Sequence, residues 1–169
     1  MRVALEPYRE TLSSAFVSCC EDPTAFAFLL KSFPDAPTPA VLFERFLISG
    51  GSPRPQTHVW AIVTSERAFL GHLELKTTEK TNPAEGELVV LVTRGSRRSG
   101  VASAALAQLV RSPHLAPEFS SLLAVIRPTN EASLRLVRRT GFVSLPERSS
   151  IEALFFGYQW SHGTAPSVW

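Results

Sequence analysis

The sequence predicts an α/β chain, a mixed sheet with helices on both faces. Residues 86–110 read as a strand, a Gly/Arg-rich turn and a helix in succession. The N-terminal third carries apolar residues at helical spacing. From His58 onward the texture changes to short strands, interrupted by one more helix pattern after Pro128. A chain of 169 residues, 44% apolar and 19% charged, has the composition of a globular domain with a sizeable core. One domain over residues 1–160 is expected, followed by a loose tail at 161–169.

Along the chain, residues 3–5 suit a short first strand. Residues 8–20 suit a helix, with Leu12, Ala15, Phe16 and Cys19 on one side. Asp22-Pro23 reads as a cap and a proline at the first helical position, opening a helix through Leu30 that buries Phe26, Leu29 and Leu30. After a proline-broken turn, Pro39 opens another helix through Ile48, and residues 50–55 form a Gly/Pro loop. Strands are expected at 58–64 and 69–77, joined by a turn at Ser65-Glu66-Arg67. A polar hairpin loop over 78–85 leads to a central strand at 87–92. After the helix and a loop over 112–119 come a strand at 121–126, a helix capped near Asn130 and stopped at Gly141, and a closing pair at 142–145 and 154–160.

The formal charge of +2 is too small to argue for nucleic acid or a membrane as partner. The two cysteines, Cys19 and Cys20, are adjacent and do not suit a bridge or a zinc site, so free thiols and a cytoplasmic setting are expected. The first residues, MRVALEPYRE, meet charge too early for a signal peptide, and no long apolar run suggests a membrane span.

The chemistry concentrates where the central strand hands over to its helix. The first N–H groups of a helix lack internal acceptors and the dipole there favours an anion. Gly100 admits close approach of a phosphate, Ala102 keeps the surface low, and Arg97 and Arg98 add positive charge. Gly95 and Gly100 have Walker A spacing, but Val101-Ala102 stand where Lys and Ser/Thr are required, so a nucleoside triphosphatase is not expected. No GxGxxG supports a dinucleotide fold.

The run Arg97-Arg98-Ser99-Gly100-Val101-Ala102 resembles the Arg/Gln-x-x-Gly-x-Gly/Ala signature of the GNAT superfamily of N-acetyltransferases. Asn130-Glu131-Ala132-Ser133, Leu136 and Gly141-Phe142 resemble that family's second signature, in the form of its RimJ/RimL-like branch, as does Glu87 ten residues before Arg97. The resemblance covers roughly residues 59–158. It implies a mostly antiparallel sheet of six to seven strands, and acetyl-coenzyme A as donor substrate, with no metal. By the same resemblance, the backbone of Val90, Leu91 and Val92 would pair with the pantetheine arm. The pyrophosphate would be held at Arg97, Arg98, Ser99, Gly100, Val101, Ala102 and Ser103, and Asn130 would bond the pantetheine, although Asn130 also reads as a plain helix cap.

Acetyl transfer further needs a base for the acceptor amine and a proton for the departing thiolate. Glu87 is the first candidate base, since a carboxylate drawn into an apolar strand holds its proton more tightly. Glu74 is the reserve, with His72 on the same strand face behind it. The tyrosine that many family members place seven residues after the asparagine is replaced by Val137, so Ser133, one turn earlier, is the candidate proton relay. No Cys or Ser sits in a nucleophile setting, which leaves direct attack by the amine. The acceptor would be a protein N-terminus or a small amine, and the protein a monomer or homodimer. Two rival readings stay open: an acyl-coenzyme A-binding module without turnover, and an interaction protein whose basic turn takes another phosphate.

Overall fold

A computed structural model describes residues 2–49, 57–77 and 84–160. The expected 50–55 loop, most of the 78–85 hairpin loop and the 161–169 tail lie outside the described residues. Seven strands form a single sheet in the order β1-β2-β3-β4-β5-β7-β6, and helices complete the fold. The strands are β1 Val3–Glu6, β2 Thr57–Thr64, β3 Phe69–Lys76, β4 Glu85–Val92, β5 Ser121–Ile126, β6 Val143–Ser144 and β7 Leu154–Gln159. The helices are α1 Ser13–Cys19, α2 Pro23–Leu29, α3 Pro39–Ser49, α4 Val101–Val110 and α5 Glu131–Arg139. β1 pairs antiparallel with β2, β5 with β7 and β7 with β6, whereas β4 and β5 run parallel, so the sheet is mixed as expected.

The chain divides into two compact units, Met1–Glu74 with Val90–Ala105, and Leu75–Val89 with Leu106–Trp169. In the first, an aromatic cluster surrounds Tyr8: the rings of Phe16, Phe43, Phe46 and Phe69 lie between 5.4 and 6.3 Å from it, centroid to centroid. Phe16 and Phe46 are fully buried, and each such ring contributes about 1.5–3 kcal/mol by leaving water. Phe16, Phe43 and Phe46 are therefore core, with Phe26, Phe28 and Phe33 half-buried against them.

The first helix is shorter than its apolar pattern. Arg9 is extended (φ −135°, ψ 149°), a 3₁₀ turn covers Glu10–Leu12, and α1 begins only at Ser13. Ala15 consequently faces out, while Leu12, Phe16 and Cys20 face the core. α2 starts as expected: the Asp22 carboxylate accepts the Thr24 N–H at 2.9 Å, and Pro23 follows. Its buried pair is Ala25 and Leu29, with Phe26 and Leu30 half-buried.

In the second unit, β5 and β7 pair along their whole length, from Ser121↔Gln159 to Ile126↔Leu154. Asn130 caps α5, its Oδ1 accepting the Ser133 N–H at 3.2 Å, and Gly141 (φ 88°) closes the helix. Arg138 and Arg139 in the last turn complement the dipole. Glu85, expected in a loop, lies inside β4, buried, with Arg148 donating to both its oxygens at 3.0–3.1 Å. The Trp160 indole N–H donates to the Val110 carbonyl at the end of α4, at 2.9 Å.

Candidate functional site

β4 is the strand on which the candidate donor site is built. Its parallel register with β5 runs from Glu85↔Ser121 to Glu87↔Leu123, and the remainder of β4, Leu88–Val92, lies beyond that pairing. The candidate pantetheine partners Val90, Leu91 and Val92 all fall in this stretch, each half-buried. On its other side β4 neighbours β3. There a Cβ placed on Gly71 would collide with the Leu91 carbonyl oxygen, so only glycine allows that approach. The Thr93 N–H donates to the Leu70 carbonyl at 2.9 Å, and Leu91 packs against the aromatic cluster.

After Val92 the chain makes a 3₁₀ turn over Arg94–Ser96 and reaches α4 at Val101. Arg98 (φ 63°) and Gly100 (φ 83°) are both left-handed. For Arg98 that conformation carries about 1–2 kcal/mol of strain, a cost that backbone positions at binding sites commonly bear. Ser99 Oγ donates to the Ser96 carbonyl at 2.6 Å and pins the turn. Arg97, Arg98, Ser99 and Gly100 are exposed, and a Cβ on Gly100 would meet nothing within 4 Å. The Ala104 N–H bonds the Gly100 carbonyl at 2.9 Å as the first turn of α4. By helix geometry the N–H groups of Val101, Ala102 and Ser103 have no intrahelical acceptor. Val101 is buried and fixes the helix, Ala102 and Ser103 are half-buried, and no acidic residue stands in the first turn. An open, basic turn leading into uncapped amides fits an anion such as a pyrophosphate.

Arg97 is turned back on the protein. Its Nε donates to the Val92 carbonyl at 3.2 Å and its terminal nitrogen approaches the Asp22 carboxylate at 3.4 Å. The Asp22 carboxyl is held below the usual range, first by the Thr24 N–H and further by Arg97. Nothing in the sequence pattern ties residue 22 to residue 97.

The candidate base Glu87 is half-buried within β4. Asn130 is an exposed helix cap, and Ser133 stands half-buried in the first turn of α5, with Val137 buried one turn on. The reserve bases occupy a different setting. His72 and Glu74 are completely buried on β3. The Tyr8 hydroxyl bonds His72 Nδ1 at 2.9 Å, His72 Nε2 lies 3.3 Å from Glu74 Oε2, and the half-buried Ser32 donates to that same oxygen at 2.6 Å. Burial pushes the Tyr8 phenol well above its ordinary range, so it serves as a neutral donor. Alternation along β3 hints at the His72–Glu74 pair; the parts played by Tyr8 and Ser32 have no local signature.

Among the described residues, no group of three or more His, Cys, Asp or Glu could hold a metal ion, and no helix is long and apolar enough to cross a membrane.

Comparison with known proteins bears on the fold and the family. Residues 2–143 match the sequence profile of the acetyltransferase (GNAT) domain. The chain belongs to the GNAT acetyltransferase family. No curated protein sequence matches it significantly. Among solved structures it resembles an acetyltransferase from Agrobacterium tumefaciens C58 (20% identity, TM-score 0.68, 94% of this chain and 91% of the other). It also resembles spermidine N-acetyltransferase from Vibrio cholerae in complex with CoA and spermine (10%, 0.69, 94% and 95%). A third similar structure is RimL, the ribosomal L7/L12 alpha-N-protein acetyltransferase, in complex with coenzyme A (14%, 0.68, 93% and 93%). These identities support likeness of fold.

Proposed function

We propose that the protein is an acetyl-coenzyme A-dependent N-acetyltransferase, one catalytic domain over residues 1–160, that moves an acetyl group from the thioester to a primary amine. The observation that carries this reading is the stretch Leu88–Val92, whose backbone lies beyond the pairing with β5 and leads directly into the exposed turn and uncapped amides of α4. Val90–Val92 would pair with the pantetheine as an added strand, and an N–H there would polarise the thioester carbonyl. The N–H groups of Val101, Ala102 and Ser103, with Arg98, Ser99, Gly100 and the Ser103 hydroxyl, would hold the pyrophosphate. Arg97 would shape the turn through Val92 as well as supply charge. Asn130 would bond the pantetheine in addition to capping α5.

Glu87 would receive the proton of the acceptor ammonium, and the neutral amine would attack the thioester directly, the thiolate being protonated through Ser133. The form Asn130-Glu131-Ala132-Ser133 supports a RimJ/RimL-like enzyme, whose acceptor would be a protein N-terminus, with a small amine as the alternative acceptor. Free Cys19 and Cys20 favour the cytoplasm.

The test has two arms. Calorimetry should show coenzyme A preferred over ATP and dephospho-coenzyme A; absence of preference defeats the donor site. Thiol release with a panel of peptides, polyamines and aminoglycosides should then find an acceptor. Val137, in place of the usual tyrosine, favours a second reading as a binding module without turnover. Loss of measurable turnover in Glu87→Gln, with coenzyme A affinity retained, would dismiss that module.

A further inference from the structure

One side chain ties the basic turn after β4 to α2. The Arg97 backbone is extended at the end of the 3₁₀ turn (φ −66°, ψ 151°), and its side chain has two anchors within the first unit. Nε donates to the Val92 carbonyl at 3.2 Å, and a terminal nitrogen lies 3.4 Å from Asp22 Oδ2. A guanidinium is a rigid planar fork, so fixing Nε on a carbonyl leaves the rest of the group little choice of direction. Asp22 is constrained as well, because its Oδ1 accepts the Thr24 N–H at 2.9 Å as the cap of α2. The carboxylate therefore stays behind when the guanidinium is drawn elsewhere. Burial pushes the Cys19 thiol up, Arg97 pulls it down and Asp22 pushes it up again, so the last residue of α1 lies in the field of both charges.

Arg97 thus answers to two anions. It belongs to the turn in which the pyrophosphate is proposed to lie, and it has a carboxylate partner within the fold. The pair is partly open, the side chains being 48% exposed for Arg97 and 30% for Asp22. An ion pair so placed changes an equilibrium constant by about fivefold at most. A phosphate can displace it, yet it is strong enough to alter a rate. A ligand that takes Arg97 is held less tightly by whatever Asp22 gives up, and the fixed carboxylate recaptures the guanidinium as the phosphate lets go. Among variants of one binding surface, such differences fall mostly in the dissociation rate.

We propose that Asp22 speeds the departure of coenzyme A by competing with its pyrophosphate for Arg97. Asp22 is in this sense a positioning residue for product release, since it acts through Arg97. The phosphates are the same before and after acetyl transfer, so contacts to them hold substrate and product alike. A turn that gripped them without a competitor would slow the step in which product leaves, a step that often limits turnover. The proposal rests on the acetyltransferase reading for its place in turnover, but the exchange at Arg97 can be measured separately.

The experiment loads the protein with coenzyme A carrying a fluorophore on its thiol and displaces it with excess coenzyme A in a stopped-flow instrument. Asp22→Asn keeps the cap and removes the charge. It should slow dissociation about two- to fivefold. Asp22→Ser, a second uncharged cap, should do the same, with the thermal midpoint of both unchanged. In Arg97→Gln the Asp22→Asn change should have no further effect, whereas in Arg98→Gln it should act in full. In steady state, product inhibition by coenzyme A should tighten by the same factor. A wild-type dissociation rate in Asp22→Asn, an undiminished effect of that change in Arg97→Gln, or opposite shifts in the two cap variants would overturn the proposal. Calorimetry with inorganic pyrophosphate separates it from the reading on which it rests. If pyrophosphate binds Asp22→Asn more tightly than wild type, yet coenzyme A is not preferred over ATP and dephospho-coenzyme A, the acetyltransferase reading fails and the exchange stands. If thiol release finds an acceptor, yet coenzyme A leaves Asp22→Asn at the wild-type rate, the proposal fails and the enzyme stands.

Discussion

At Gly100 the backbone turns through φ 83°, and the space around it is open. Conformation, not crowding, restricts this position, which separates two substitutions. Gly100→Ala should cost coenzyme A affinity about thirtyfold or less, the strain of a left-handed alanine being about 1–2 kcal/mol. Gly100→Glu should abolish binding in calorimetry, since a carboxylate would stand where phosphates are expected; unchanged affinity would refute the placement of the loop. Asp22 allows a finer test. Asn caps helices as well as Asp, so Asp22→Asn keeps α2 while releasing Arg97. Coenzyme A should then bind up to about fivefold more tightly, the range of an exposed ion pair, with the thermal midpoint unchanged. Burial pushes the Cys20 thiol from 9.0 to about 12. The folded state thus favours the protonated thiol: its contribution to stability is whole below pH 9 and is lost as pH rises through the 9–12 window. Cys20→Ala should flatten that part of the denaturant midpoint's pH dependence. These local arrangements are only partly legible in the sequence. Asp22-Pro23 announces a cap, but its ion pair with Arg97 spans the fold and has no periodicity to betray it.

The elements with internal punctuation are the readable ones. α4 is marked by Gly100 before it and by Val101, Ala105 and Leu109 along its buried side, and α5 by Asn130 and Gly141. The start of α1 is hidden because Tyr8 continues the apolar spacing while the backbone beside it is still extended. Glu85 reads as loop because a charged residue rarely begins a buried strand unless a partner such as Arg148 arrives from far along the chain. At β3 the controlling feature is Gly71 beneath the Leu91 carbonyl. Gly71→Val should push that part of β4 away. The expected result is a loss of turnover and coenzyme A affinity larger than the loss of stability, read by kinetics and by thermal melting of the same preparation.

For the molecule as a whole, the composition and the alternation of helix and strand patterns disclose the class of fold, since both depend on residues near one another in the chain. Which phenylalanines form the core of the first unit depends on which of them meet Tyr8, a relation that no local pattern carries. Phe46→Ala, at the centre of that meeting, should cost about 3–5 kcal/mol in denaturant unfolding. A cost under about 1 kcal/mol would mean the cluster is not the stabilising core of the first unit. The indole of Trp160, fixed to the final carbonyl of α4, lends the protein a native optical reporter. With Trp60 and Trp169 replaced by phenylalanine, its emission would follow the far end of the helix whose near end is expected to meet the donor, so that nucleotide docking could be watched without an attached dye.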